Sequence, residues 1–473
     1  MDGGTARRSK IAGGSASFHP RIFVRAGARS VVRRPSSLPY LPALTSPAAA
    51  LHLLLALLGA LTLLGAPTAS AALPPPIPGR PVAPADTTRP GAARAAVEIL
   101  PRFEPAALWS SSRGFGVAGG VGIRNLGWEG SEIELGARLS QRFQSVSAHL
   151  YTRDPYEAPL YGLLGGRVRT SSRQRFYGLG PTSDRDDRLD LDFTSGQVEG
   201  RVGWYPFGHS GLLLQPGVRL LYDKLSGFAD ADDDTTTFPT FESIQHLNRL
   251  EGMSRYGLSA GIEVGHDTRD RVVMTRQGML AEASFRRFFG LDGHDLQFNS
   301  VQVRVFGFQP VMGRRVVAFG RAVAAVTRAD DDPDGNRLPF FYRPALDDAL
   351  LPGYAGERFF GRDLLAVGAG IRFPLAELFG RYAIDGVLTA DVGSSYDDIT
   401  DQFKLAVSFE EDVEADEDGR VPLRPSAGVG INFVNVDRDR PVVGGLVGLS
   451  PEGIVLTSLH IVYDFRDLLP LFR

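Results

Sequence analysis

Period-two alternation of apolar residues constrains this chain more than any other feature of its sequence. From about 97 to 465 the alternation recurs, and no sustained helical pattern interrupts it. In Glu132–Ser140, Ile133, Leu135, Ala137 and Leu139 share one face, opposite Glu132, Glu134, Gly136, Arg138 and Ser140. Val301, Val303 and Val305 oppose Ser300, Gln302 and Arg304 in the same way. Over 364–373, Leu365, Val367, Ala369, Ile371 and Phe373 oppose a face that carries Arg372. The last segment, 454–465, would turn Val455, Thr457, Leu459, Ile461, Tyr463 and Phe465 outward. Such alternation marks strands with two unlike faces. A soluble sandwich would satisfy it, but two features point elsewhere. The segments run roughly 10–14 residues, against the ~5–6 of globular strands. Arginines recur on one face while the other is nearly free of charge, as lipid outside and water inside require. The expected fold is all-β: a transmembrane antiparallel β-barrel of about 16 strands.

Sixteen candidate strands can be counted, from 96–104 to 453–465. The first is the weakest, since Pro101 and Pro105 interrupt it and proline cannot donate to a ladder. With both ends periplasmic, the long connections 225–253, 328–362 and 394–424 follow strands seven, eleven and thirteen, on the side where such barrels carry their long loops. The short links 267–277 and 310–313 fall on the other side.

The chain start reads as an export leader. Residues 1–50 hold seven Arg, one Lys and one acid, Asp2; the apolar run 51–66 follows, then Ala69-Ser70-Ala71. A run of sixteen residues is short for a span that needs ~20, and the three parts together resemble a secretory signal cleaved near Ala71. The 50 residues ahead of the run exceed an ordinary n-region, which an upstream start codon explains; an organelle transit peptide is the alternative. The expected organisation is therefore 1–71 extension and signal, 72–95 Pro-rich linker, 96–465 barrel and 466–473 tail.

Several stretches resemble the BamA/TamA-type outer-membrane assembly factors, a bacterial surface-antigen barrel family. His266-Asp267-Thr268-Arg269-Asp270, followed by Thr275-Arg276-Gln277-Gly278, resembles that family's DTRD…P-T-x-G periplasmic turn. Phe176-Tyr177-Gly178-Leu179-Gly180 resembles its FYGLG segment. Leu351-Pro352-Gly353-Tyr354, then Arg358-Phe359, stands where its sixth extracellular loop carries [VIL]-R-G-[FY]. Residues 371–375 resemble YRFPL, 390–393 resemble F-x-D-x-G, and 425–430 resemble SAGxG. The order of these pieces, from Phe176 to Gly430, matches the strand count.

The resemblance implies a sixteen-stranded barrel with a lateral seam between its first and last strands. It implies a long loop anchored in the lumen on Asp391. In the family an arginine of the loop motif makes that pair; Pro352 stands in its place here, so Arg358 or Arg372 is the expected substitute. It leaves only about 25 residues, rich in Pro, where the family has periplasmic POTRA domains, so a barrel-only relative is expected. An assembly signal would be Phe465 or Phe472. The implied function is insertion or translocation of proteins at the outer membrane. Expected partners are outer-membrane lipid, nascent outer-membrane proteins or a separate periplasmic protein. A passive or plugged pore, or a structural surface antigen, is the alternative.

Other chemistry finds little support. With no Cys in the chain, neither a thiolate metal site nor a Cys nucleophile is available. A net charge of −3 argues against a nucleic-acid surface. None of the eight His lies in an H-E-x-x-H helix, and no G-x-S-x-G elbow, P-loop or Rossmann fingerprint occurs. His460 and Asp464 lie four residues apart on a strand, too far for a dyad. The acidic runs at 230–234, 330–334 and 410–418 read as solvated loops, without calcium-loop spacing. Neither enzyme activity nor a cofactor is expected.

Overall fold

The computed structural model describes residues 98–462 apart from 101–105, 111–113, 154–157, 186–187, 208–210, 231–240, 271–273, 294, 314, 331–337, 347, 349, 379–381 and 436–439. All described residues belong to one compact unit. The leader, linker and tail, with Phe465, Phe472 and Asp464, lie outside the described residues.

Sixteen strands form the wall. The first, β1, has two pieces, Glu98–Leu100 and Ala106–Ser110, which both pair with β2, Gly114–Arg124. Next come β3 (Glu132–Ser140), β4 (Phe143–Tyr151), β5 (Leu160–Phe176), β6 (Leu189–Trp204) and β7 (Leu212–Asp230). After helix α1 (Phe241–Leu250) follow β8 (Ser254–Asp267), β9 (Gly278–Gly290), β10 (Gln297–Met312) and β11 (Val316–Ala329). The last five are β12 (Asp363–Leu378), β13 (Tyr382–Tyr396), β14 (Val421–Asn435), β15 (Arg440–Ser450) and β16 (Gly453–Val462). Each strand pairs antiparallel with the next, and β1 pairs with β16, so the sheet closes on itself. Closure removes the free edges of the sheet.

The strand count and the parity of the long connections match expectation. The first strand does not end at 104: its second piece runs to Ser110, past Pro105. Helix α1, on the connection after β7, has no counterpart in the alternation reading.

The outer face is apolar. Leu135, Leu139, Val301, Val303, Val367 and Val429 all expose large parts of their side chains. In the first half of β16 the faces are reversed from expectation. Val447 pairs with Leu456 but Leu446 with Ser458, so Thr457 is bulged out of register. One extra residue flips the faces that follow. Before the bulge Ile454 and Leu456 are exposed and Thr457 is buried; after it, Leu459 faces outward as expected.

The expected wet interior holds only in part. Glu199 accepts from Arg201 (2.6 Å) and Arg219 (2.7 Å), and Arg286 lies 3.6 Å from Glu263, along β6–β9. Toward the long loops, however, the lumen holds a dry core. Phe176, Leu191 and Leu225 of the wall pack there with Leu247 of α1 and with Phe340 and Phe360 of the connection 330–362.

Candidate functional site: a plugged lumen and a short seam

The connection 330–362 folds inward and touches several parts of the wall. Leu338 joins Phe288 and Phe298. Leu346, Leu351, Tyr354 and Phe359 pack on Val323 and Leu364. Apolar burial of this kind is worth ~25 cal/mol per Å², so the loop belongs to the lumen core rather than to the surface.

Its tip is held by backbone contact with glycines. Gly353 has φ +99°, a conformation that a side chain would strain. A Cβ on Gly448 of β15 would fall 1.9 Å from the Gly353 nitrogen, and one on Gly353 would fall 2.5 Å from the Leu449 carbonyl carbon. Ser450 Oγ donates to the Gly353 carbonyl (2.9 Å). Pro352 sits over Gly428 of the SAGxG stretch, 3.4 Å from the position a Cβ would take. Tyr354 donates to the Pro425 carbonyl (3.3 Å), and burial pushes its hydroxyl up to about 12. Pro352, in the place of the family arginine, therefore docks by close packing, with no charge.

Asp391 of β13 is 4% exposed and pairs with a residue that sequence reasoning did not select. Arg321 of β11 donates from Nε to Asp391 Oδ1 (2.9 Å), and from a terminal nitrogen to the Leu350 carbonyl of the loop (3.2 Å). Arg321, Gly368 and Asp391 stand in one cross-strand row. A Cβ on Gly368 would overlap Asp391 Oδ1 at 1.6 Å, so the missing side chain lets the two charges meet across β12. The expectation that Arg358 or Arg372 would partner Asp391 is corrected: both arginines are engaged elsewhere.

Arg358 is 2% exposed. It donates to Glu452 in the β15–β16 turn (3.1 Å) and to the side chain and carbonyl of Ser183 (both 2.8 Å). Its guanidinium lies 4.7 Å from the Tyr177 ring centroid and 4.5 Å from that of Phe359. Arg424 of β14 also lies 4.5 Å from the Phe359 ring and donates to the Pro181 carbonyl (2.7 Å). Two buried cations share one aromatic ring, a favourable contact once water is removed. Burial pushes the Glu452 carboxyl up, and Arg358 pulls it partly back. The FYGLG stretch is the platform for this end of the loop: Gly180 N–H donates to the Phe360 carbonyl (2.7 Å), and Phe176 packs 5.7 Å from the Phe360 ring.

Arg372 works at the opposite end. The turn motif folds on itself: Arg269 donates to both Asp267 oxygens (2.9 and 2.7 Å), Thr268 N–H to the Met279 carbonyl (2.8 Å), and the amides of Arg276 and Gln277 to Asp270 Oδ1 (2.9 and 3.2 Å). Gly278 has φ +102°, and a Cβ there would sit 2.2 Å from the Thr268 carbonyl oxygen. The folded turn presents two carbonyls to Arg372 of β12, which donates to Thr275 (2.7 Å) and Met274 (3.3 Å). Arg372 therefore latches the short-turn end.

Among the described residues the pairing is shortest at the closure. Among the described residues β1 and β16 share five registered pairs, Ala106↔Val462 through Ser110↔Ser458. β9 and β10, by contrast, stay in register from Gly278↔Phe308 to Phe289↔Gln297. Among the described residues no cluster of three or more His, Asp or Glu side chains is placed to hold a metal ion.

The fold is that of a closed sixteen-stranded transmembrane barrel with an inward-folded loop and, among the described residues, five registered pairs at its closure. No protein-family model and no curated protein matches the sequence. Solved structures do. BamA from Haemophilus ducreyi lacking POTRA domains 1–3 aligns over 77% of this chain and 70% of its own, at 12% identity and a TM-score of 0.53. CdiB from Acinetobacter baumannii aligns over 78% and 65% at 11% identity (TM-score 0.44), and CdiB from Escherichia coli over 78% and 67% at 12% identity (TM-score 0.46). The chain thus spans about two thirds of the length of the solved chains it matches. The likeness to BamA shows the fold: this is a BamA-like barrel.

Proposed function

We propose that this protein sits in the outer membrane and assists the insertion or translocation of proteins there. Its short seam would be the point of entry, and the loop 330–362 would be the plug. The observation that carries the reading is the seam itself. Among the described residues five registered pairs close the wall, and the sequence of its first strand carries Pro101 and Pro105 just ahead of them. A short pairing that starts beside prolines, which cannot donate to a ladder, is the part of a closed sheet that opens at least cost.

A covalent lock tests it, and the Cys-free chain makes the lock clean. Trp109 and Leu459 face each other across the seam, so the double variant Trp109→Cys/Leu459→Cys should oxidise to one disulfide. Reconstituted in vesicles, the reduced barrel should speed the assembly of an unfolded outer-membrane barrel added outside, and the oxidised one should not. Equal acceleration in both states would reject the seam as the route. No acceleration in either state, together with a steady ion current, would favour the plain pore.

A further inference from the structure

The connection between β13 and β14 carries an apolar edge that neither the plug nor the seam uses. Its inner half is anchored: Tyr396, Val413 and Val421 form a small core with Leu365 and Phe403. Leu365 alternates with the inward-facing Leu364 and Ala366 of the plug core, so this cluster lies on the outer face of the wall. From it runs the short strand Phe403–Val407. Leu405 is 87% exposed, Val407 43% and the following Phe409 78%. Three large apolar side chains at alternate positions all face away from the protein.

The direction of the strand identifies what covers them. It pairs parallel with the start of β14, Phe403 opposite Val421 and Val407 opposite Leu423, and Ser408 N–H donates to the Leu423 carbonyl (3.0 Å). It therefore descends along β14 toward the bilayer. Pro425, two residues below Leu423, stands in one row with Val392 and Val367, and Val367 belongs to the exposed apolar face of the wall. At ~3.3 Å per residue along β14, Leu423 and its partner Val407 lie about 7 Å above that row, and Phe409 follows Ser408, which is still bonded at Leu423. The stretch is bounded by Lys404, paired with Asp416 at 2.9 Å, and by the exposed Glu410. Charges at both ends of a short apolar edge suit the boundary between acyl chains and headgroups.

We infer that residues 405–409 rest in the outer leaflet, with Leu405, Val407 and Phe409 among lipid acyl chains. The loop then extends the lipid-facing surface of the wall beside β12–β14. This holds whether or not the barrel inserts proteins.

Single-cysteine labelling decides it. Leu405→Cys and Phe409→Cys, each carrying an environment-sensitive fluorophore, are placed in phosphatidylcholine vesicles with a nitroxide at a shallow acyl position. Val367→Cys serves as the lipid reference and Glu417→Cys as the water reference. The expected result is lipid-nitroxide quenching at 405 and 409 several-fold above that at 417, with iodide quenching correspondingly weak. Iodide quenching equal to that at 417 would overturn the inference. Shielding from both quenchers would also overturn it, because it would mean that protein, a second copy of the chain included, covers the edge.

Discussion

At Gly368 the absence of a side chain brings two charges together. Arg321 and Asp391 come from β11 and β13 and meet only because nothing rises from β12 between them. Removing one partner of a buried pair strands the other and costs ~3–5 kcal/mol, whereas replacing both with apolar groups is often near neutral. Arg321→Ala and Gly368→Ala should therefore each lower the unfolding midpoint in denaturant and speed protease cleavage within 330–362. The double variant Arg321→Met/Asp391→Leu should recover most of the loss. If Arg321→Ala matched the parent in both assays, the pair would not anchor the loop. Asp391 was legible in the sequence through its motif. Its partner was not, because the pair depends on cross-strand register and on a glycine in an intervening strand. Arg358 illustrates the same limit: Ser183 and Glu452 reach it from connections 175 and 94 residues away along the chain, distances that alternation does not encode.

At the level of elements, what could be read was what repeats. Strand number, outward faces and the sides of the long loops follow from alternation and length, and the fold agrees with them. What failed was local and singular. One bulged residue, Thr457, reversed half of β16, and α1 escaped because ten residues inside a loop interrupt no strand pattern. The turn 268–277 was recognised as a motif, but its attachment to Arg372 across the lumen was not. That attachment yields a prediction. Arg372→Ala removes the donor that holds the Met274 and Thr275 carbonyls. Hydrogen bonds from charged groups contribute ~1.5–3 kcal/mol, so the turn should open more often and trypsin should cut after Arg269 or Arg276 faster than in the parent. Arg372→Lys, with a donor but no fork, should fall between the two. Unchanged cleavage in Arg372→Ala would show that the turn holds itself closed.

For the molecule as a whole, a wall of sixteen strands is wide enough for a water-filled channel, so whether ions pass depends on the loop 330–362. The loop is held at both ends of its inward path, by Phe359 and Arg358 against the FYGLG platform and Glu452, and by its tip against β14 and β15. The parent barrel should therefore be mostly closed in a planar bilayer, with brief openings. Gly448→Val tests the tip alone. A side chain there would occupy the place of the Gly353 backbone, yet it lies on a strand that already pairs on both edges, so the wall should survive while the tip is displaced. The expected result is a longer-lived open state and a higher mean conductance, with the folded, heat-modifiable gel mobility retained. A parent barrel that conducts steadily at the same level as Gly448→Val would mean that the loop does not block the lumen, and the plug would have to be abandoned even if the seam lock behaved as expected.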